Sequence, residues 1–275
     1  MKNQLRELVK NYGEIGVLFI VGGNPMSQWP DINRLRRQLK RVGLVVVFDL
    51  FMNHTAREVG DIVLPGTSWL EELGLRTSNS RIYVMDKMVE PPGERREASW
   101  WMDGICKRLG IDDYFPWTDK KACLEQCLDN EQCRNATMDD LLGKPEGVAG
   151  VLPEIPYADG QFASPSGKFE FYSQKAEQLG IEPLPVHVEP IEGVKSTPEL
   201  AQKYPLLLVS ARRNTHFHSF HDSHRAIPTL KTIEPGPALW VHPKDAKARG
   251  LKEGDTAEMF NERGKGKVYI ELTTE

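Results

Sequence analysis

No apolar run in the 275 residues approaches the ~20 that a membrane-spanning helix needs, which excludes a helical span within this sequence and predicts no direct membrane contact. Lysine and arginine never gather into a basic tract and the net charge is −4, so there is no electrostatic footprint for nucleic acid. Met1-Lys2-Asn3-Gln4-Leu5-Arg6-Glu7-Leu8 reads as an amphipathic helix without a long apolar core, which is not a secretory signal. Cellular location stays open. The four cysteines, Cys106, Cys123, Cys127 and Cys133, form no C-x-x-C pair, so the usual zinc and iron–sulfur spacings are missing. Cys123 and Cys127 share one face of an expected helix and read as packing thiols, ahead of a metal site or a disulfide. There is no H-E-x-x-H and no internal repeat.

What is present is a chain long enough for two domains, with 40% hydrophobic and 27% charged residues, the balance of a globular protein. Ile15 to Val21 is a continuous apolar run, as expected of a buried parallel strand. The loop Gly22-Gly23-Asn24-Pro25 follows. Asp31 is placed to cap an amphipathic helix over Ile32 to Arg41, with Leu35 and Leu39 on one face and Gly43 at its end. Leu44 to Leu50 is a second apolar strand, completing a βαβ unit, and Asp61 to Pro65 a third. Helices are expected over Ala98 to Leu109 and parts of Lys120 to Leu142. The pattern over residues 1–145 predicts an open, parallel, doubly wound α/β domain.

Residues 146–204 are rich in proline and read as a connecting segment, with a short helix near Tyr172 to Leu179. From 205 to 275 the texture is one of short strands: Leu206 to Ser210, Ala238 to His242, Thr256 to Asn261 and Lys267 to Thr273. Glu262-Arg263-Gly264-Lys265-Gly266 is a hairpin turn between the last two. This predicts a β-rich, barrel-like domain that stops before closure, as in a shortened chain or a split reading frame.

Three stretches carry chemistry. Gly22 to Pro25 follows a strand, where open α/β sheets bind ligands and where glycine permits close backbone approach, although many such loops are only turns. Asp49 ends the second strand, with Asn53 four residues on. A carboxylate there can accept two N–H bonds from the N1 and N2 edge of guanine, or else Asp49 or Asn53 caps the next helix. In Val209-Ser210-Ala211-Arg212-Arg213-Asn214-Thr215-His216-Phe217-His218-Ser219 an apolar run ends in two arginines, an amide and imidazoles. Guanidinium forks suit phosphate, and imidazole and amide groups suit a heterocycle. His216, His218, His221 and His224 also invite a metal reading, with only Asp222 as an acidic partner and no standard spacing.

In order along the chain stand Asp49-Leu50-Phe51-Met52-Asn53-His54-Thr55-Ala56 with Asp61-Ile62-Val63-Leu64-Pro65 after it, then Glu72-x-Gly74 and Asn79-Ser80-Arg81. Ser164-Pro165-Ser166-Gly167-Lys168-Phe169-Glu170-Phe171-Tyr172-Ser173 follows, then Ser210-Ala211-Arg212, His216-x-His218-Ser219, Pro235-x-Pro237 and His242-Pro243-Lys244-Asp245-Ala246. This succession, from about residue 15 onward, resembles the C-terminal portion of the molybdopterin oxidoreductases that carry bis-molybdopterin guanine dinucleotide, the DMSO reductase and formate dehydrogenase-like family. The spacing before Arg81 is compressed relative to that family.

The resemblance implies that the β-rich domain is double-psi-barrel-like, and that the chain grips molybdopterin guanine dinucleotide for a molybdenum or tungsten enzyme. It implies cofactor contacts by Gly23, Asn24, Pro25, Asp49 and Asn53, and by Arg212, Arg213, Asn214, His216, His218 and Ser219. No residue matches the family's metal ligand, and a [4Fe–4S] cluster would belong to an N-terminal part outside this sequence. The implied partners are that catalytic portion or subunit and an electron-transfer iron–sulfur subunit, and the chain alone is expected to be inactive. Two other readings remain open: a noncatalytic dinucleotide-binding subunit that completes a separate metal-bearing chain, and a metal-dependent hydrolase built on the His216–His224 cluster.

Overall fold

The computed structural model describes residues 15–78, 80–150, 155–211, 215, 227–234 and 236–274. The chain divides into two units: Met1–Thr67 with Pro91–Ile105 and Val209–Glu275, and Ser68–Glu90 with Cys106–Leu208.

The first unit is built on three parallel strands in sequential order: β1 (Val17–Val21), β2 (Leu44–Asp49) and β3 (Ile62–Pro65). Between them lie α1 (Pro25–Gln28), α2 (Ile32–Leu39) and α3 (His54–Val59). α2 starts where Asp31, in the left-handed region at φ 58°, accepts a hydrogen bond from Arg34 N. Aspartate is among the few residues that visit that region readily. The alternation of β1 places Leu18 and Ile20 on one sheet face with Val45, Val47 and Val63, in the register Leu18–Val45, Ile20–Val47 and Val47–Val63. The helices cover that face with Met26, Leu35, Leu39, Ala56 and Val59. Val47 is wholly buried, and burial of such a side chain stabilises by roughly 1.5–3 kcal/mol. On the opposite face Val17, Phe19 and Val21 are exposed, at 51%, 38% and 57%.

The second unit holds a three-stranded antiparallel sheet that the sequence pattern did not reveal. It consists of β4 (Gly74–Ser78), β5 (Arg81–Met85) and β6 (Val148–Ala149), with β5 central. α4 (Ala98–Arg108) follows in the chain, its residues to Ile105 belonging to the first unit. α5 (Lys120–Leu128) and α6 (Met138–Leu141) pack on the sheet: Leu124, Leu128, Met138 and Leu141 form a buried cluster with Ile82. Asp119 caps α5, and Thr137 and Asp140 form a reciprocal capping box on α6.

Residues 155–208 carry two short helices, α7 (Gln174–Gln178) and α8 (Pro198–Lys203), and no strand. Their apolar side chains lie bare: Phe171, Val188 and Ile191 are exposed at 77%, 77% and 88%. The expected strand over Leu206 to Ser210 is not formed. An apolar run becomes a strand only when another strand takes its backbone hydrogen bonds, and among the described residues none pairs with it.

The rest of the first unit contains α9 (Pro228–Ile233), β7 (Ala238–Val241), α10 (Pro243–Lys247), β8 (Thr256–Asn261) and β9 (Gly264–Leu272). β9 is central, parallel to β7 and antiparallel to β8. At the β8–β9 turn Asn261 Oδ1 accepts from Arg263 N (2.9 Å) and Gly264 N (3.2 Å). Asn33 of α2 donates its amide to Arg263 O at 2.8 Å, which ties this hairpin to the parallel-sheet part of the unit.

Candidate functional site

β1 and β2 are parallel neighbours, so the residues following both emerge at one edge of the sheet. Gly22 turns away from β1 at φ +59° and its N–H donates to Phe48 O at 2.9 Å. A side chain there would be strained by the backbone, although nothing lies within 4 Å of the position its Cβ would occupy. Gly23 has ordinary surroundings. Pro25 is the first residue of α1 and is buried, its fixed φ suiting that position.

Asp49 stands at the end of β2 and is half-buried. Its Oδ1 accepts from Phe51 N at 3.2 Å and its Oδ2 from Asn53 Nδ2 at 2.7 Å. Of the two capping candidates the structure selects Asn53: its Oδ1 accepts from Ala56 N at 2.9 Å and starts α3. The same amide reaches back to Gly23 O at 3.4 Å.

Beneath lies a buried pair, Asn24, which is one of the expected residues, and Thr55, which is not. Asn24 is 3% exposed and Thr55 not at all. Asn24 Oδ1 accepts from Thr55 N (3.2 Å) and Thr55 Oγ1 (2.8 Å), while Thr55 Oγ1 accepts from Met26 N at 3.1 Å. Burial of such groups is tolerated because they are hydrogen-bonded. The loop after β1 and the first turn of α3 are thereby held together from both sides. A threonine inside a helix carries no periodic signal, so only its tertiary partners mark it.

Beside this lies a chain of polar contacts. His54 Nδ1 is 3.4 Å from Ser27 Oγ and its Nε2 2.7 Å from Glu58 Oε1. Glu58 also receives Arg36 Nε at 2.8 Å, and Arg36 donates to Asn33 Oδ1 at 2.9 Å. Burial works against the Glu58 carboxylate, but the hydrogen bonds from Arg36 and His54 outweigh it and hold its pKa below the ordinary value. An open cleft of about 390 Å³ adjoins these residues, lined by Asp31, Asn33, Arg36, Arg37, Glu262 and Arg263.

Of the eleven residues expected at a cofactor site, Gly23, Asn24, Pro25, Asp49 and Asn53 are brought together at this edge. Arg212, Arg213, Asn214, His216, His218 and Ser219 lie outside the described residues, as do His221, Asp222 and His224. Glu71 is buried and accepts from Ser68 N at 2.9 Å, and Arg81 is exposed on β5. Among the described residues no group of three or more His, Cys, Asp or Glu side chains is placed to hold a metal ion.

Comparison with known proteins bears directly on this arrangement. The family model "Molybdopterin oxidoreductase" matches residues 2–108, and "Molydopterin dinucleotide binding domain" matches residues 206–275. The chain is 34% identical over 266 residues to the probable oxidoreductase YyaE of Bacillus subtilis (strain 168), covering 93% of this chain and 38% of that protein. It is 29% identical over 269 residues to acetylene hydratase of Syntrophotalea acetylenica, covering 93% of this chain and 35% of that one. The solved structure of acetylene hydratase from Pelobacter acetylenicus matches with a TM-score of 0.77 and 28% identity, over 94% of this chain and 35% of that chain. The mixed α/β architecture is thus similar to part of that enzyme, and the chain spans little more than a third of the length of these relatives. Two family models in order, on a chain whose strand ends gather the expected loop and carboxylate, identify it as a member of the molybdopterin oxidoreductase family.

Proposed function

We propose that this chain forms a dinucleotide-gripping part of a molybdenum or tungsten oxidoreductase and binds molybdopterin guanine dinucleotide. The observation that carries the reading is the placement of the Gly22–Pro25 loop and Asp49 at the carboxyl ends of adjacent parallel strands. Ligands of open α/β sheets sit at that edge. The residues fit such a group. Gly22 leaves open space where a side chain would stand. Each oxygen of Asp49 accepts one internal hydrogen bond, and a carboxylate oxygen has room for another. Asp49 would hold the N1 and N2 edge of guanine, and Gly22 and Gly23 would let backbone approach a phosphate. Arg212, Arg213, Asn214, His216, His218 and Ser219 would hold phosphate or pterin in the domain matched over 206–275.

The group itself, when bound, supplies the metal-centred redox chemistry, and this chain's residues bind and orient it. In this reading β7, β8 and β9 contribute to a double-psi barrel. The bare apolar side chains along 155–208 support a partner surface, the remainder of the catalytic machinery. Single large apolar residues at the surface are ordinary, but a dense run of them marks an interaction surface. An electron-transfer iron–sulfur subunit would be a further partner of the whole enzyme.

Titration calorimetry of the purified chain with guanosine and adenosine diphosphate tests the reading. The wild type should prefer the guanine nucleotide, and Asp49→Ala should lose about 1–3 kcal/mol of that binding, the cost of removing one partner of a charge-assisted hydrogen bond. Equal affinities for the two nucleotides in the wild type would refute it.

A further inference from the structure

We infer that Asn53 serves the dinucleotide without touching it, as the positioning residue that sets the angle of the Asp49 carboxylate. The inference rests on the reading that Asp49 meets guanine.

A primary amide has two N–H donors and one carbonyl oxygen. Asn53 is 5% exposed, and its two donors point at Asp49 Oδ2 (2.7 Å) and Gly23 O (3.4 Å), while its oxygen accepts from Ala56 N (2.9 Å). The orientation of the amide is forced by chemistry, since a carboxylate and a carbonyl only accept and a backbone N–H only donates. Both donors are therefore spent inside the protein, which leaves none to offer a base.

What they accomplish is geometric. Phe51 N fixes Oδ1 of Asp49 and Asn53 fixes Oδ2, so the carboxylate plane is held at both oxygens. One acceptor position per oxygen is used, which leaves a pair, one on each oxygen. Such a pair matches two adjacent N–H groups on one heterocycle edge, as guanine presents at N1 and N2. The bond to Gly23 O anchors the amide itself, so its direction toward Asp49 is fixed before a base arrives. Preorganisation of this kind raises selectivity because the ordering is done before the ligand arrives.

The experiment compares guanosine diphosphate with inosine diphosphate, which lacks only the N2 amino group, on the full chain. In Asn53→Ser the helix cap is kept, because serine caps as well as asparagine, but the amide that reaches Asp49 is gone. In Asn53→Asp the cap is also kept, and a carboxylate opposes Asp49 where a donor stood. The wild type should favour the guanine nucleotide by about tenfold or more, the worth of one charge-assisted hydrogen bond. Both variants should bring the ratio close to one, while inosine diphosphate affinity stays within about twofold, since its phosphate contacts do not pass through the amide. A ratio preserved in either folded variant would overturn the positioning role, as would an equal loss of both nucleotides. If one variant fails to fold, the other decides by the same criteria. A ratio lost in Asp49→Ala but kept in the Asn53 variants overturns this inference alone. A wild-type ratio of one overturns the guanine reading and this inference with it.

Discussion

The hydroxyl of Thr55 lies 2.8 Å from Asn24 Oδ1, across a sequence separation of 31 residues, and both side chains are buried. The same hydroxyl accepts from Met26 N, a donor in the first turn of α1 that has no partner within its own helix. Thr55→Val would keep the shape and leave both groups short of a hydrogen bond, at a cost of about 1–3 kcal/mol. Thr55→Ser keeps the hydroxyl and should cost less. Urea unfolding of the two variants checks this, and a serine variant no more stable than the valine one would deny the hydroxyl its role.

The two glycines after β1 should behave differently. Gly22→Ala forces a side chain into the left-handed region at φ +59° and should cost about 1–2 kcal/mol. At Gly23 the nearest atoms to an added Cβ are Ile20 Cγ2 at 3.5 Å and Pro25 Cδ at 3.9 Å, ordinary contacts. Gly23→Ala should be neutral or stabilise by up to about 1 kcal/mol through the unfolded chain. Thermal unfolding of both variants reads the difference, and equal melting points would contradict the assignment of strain to Gly22.

Glu58 makes a pH prediction. Its pKa lies below the ordinary 4.5 in the folded chain, because the Arg36 and His54 hydrogen bonds overcome its burial. A depressed carboxylate contributes stability that is fully present above its unfolded value and is lost as pH falls through the folded one. Wild-type stability should therefore drop on acidification below about pH 4.5 more steeply than that of Glu58→Gln. Parallel acid limbs for the two proteins, followed by denaturant titration from pH 6 downward, would count against the contribution of this group.

Because the chain spans 38% and 35% of the relatives it matches, the purified chain is expected to show no turnover with redox dyes. Dye-linked assays and elemental analysis for molybdenum, tungsten and iron check this. Stoichiometric metal together with turnover would show that the chain carries a complete active centre.

The parallel sheet was legible in the sequence because its signals are local. Ile15 to Val21 and Leu44 to Leu50 are apolar runs broken by glycine, and Asp31 caps α2 as its position implies. The site edge followed from it, since parallel neighbours must deliver Gly22 and Asp49 together. The hairpin β4–β5 was not legible: Gly74-Leu75-Arg76-Thr77-Ser78 is short and mixed, and it becomes a strand through pairing with Arg81–Met85. Leu206 to Val209 misled in the opposite sense, as apolarity alone does not provide a neighbour. Asn53 was visible as a candidate, but that its amide is turned inward depends on Gly23, 30 residues away.

The order of β7–β9–β8 has a consequence for synthesis. β9 is the shared neighbour, yet a ribosome produces it after both strands that need it. Until Gly264–Leu272 has emerged, Ala238–Val241 and Thr256–Asn261 lack their partner in this sheet, so the sheet forms in one late step rather than strand by strand. The β1–β2–β3 sheet can grow in the order of translation, because each strand pairs with the one made before it. A nascent chain arrested before β9 should therefore already protect its first sheet from protease, while β7 and β8 remain open to cleavage.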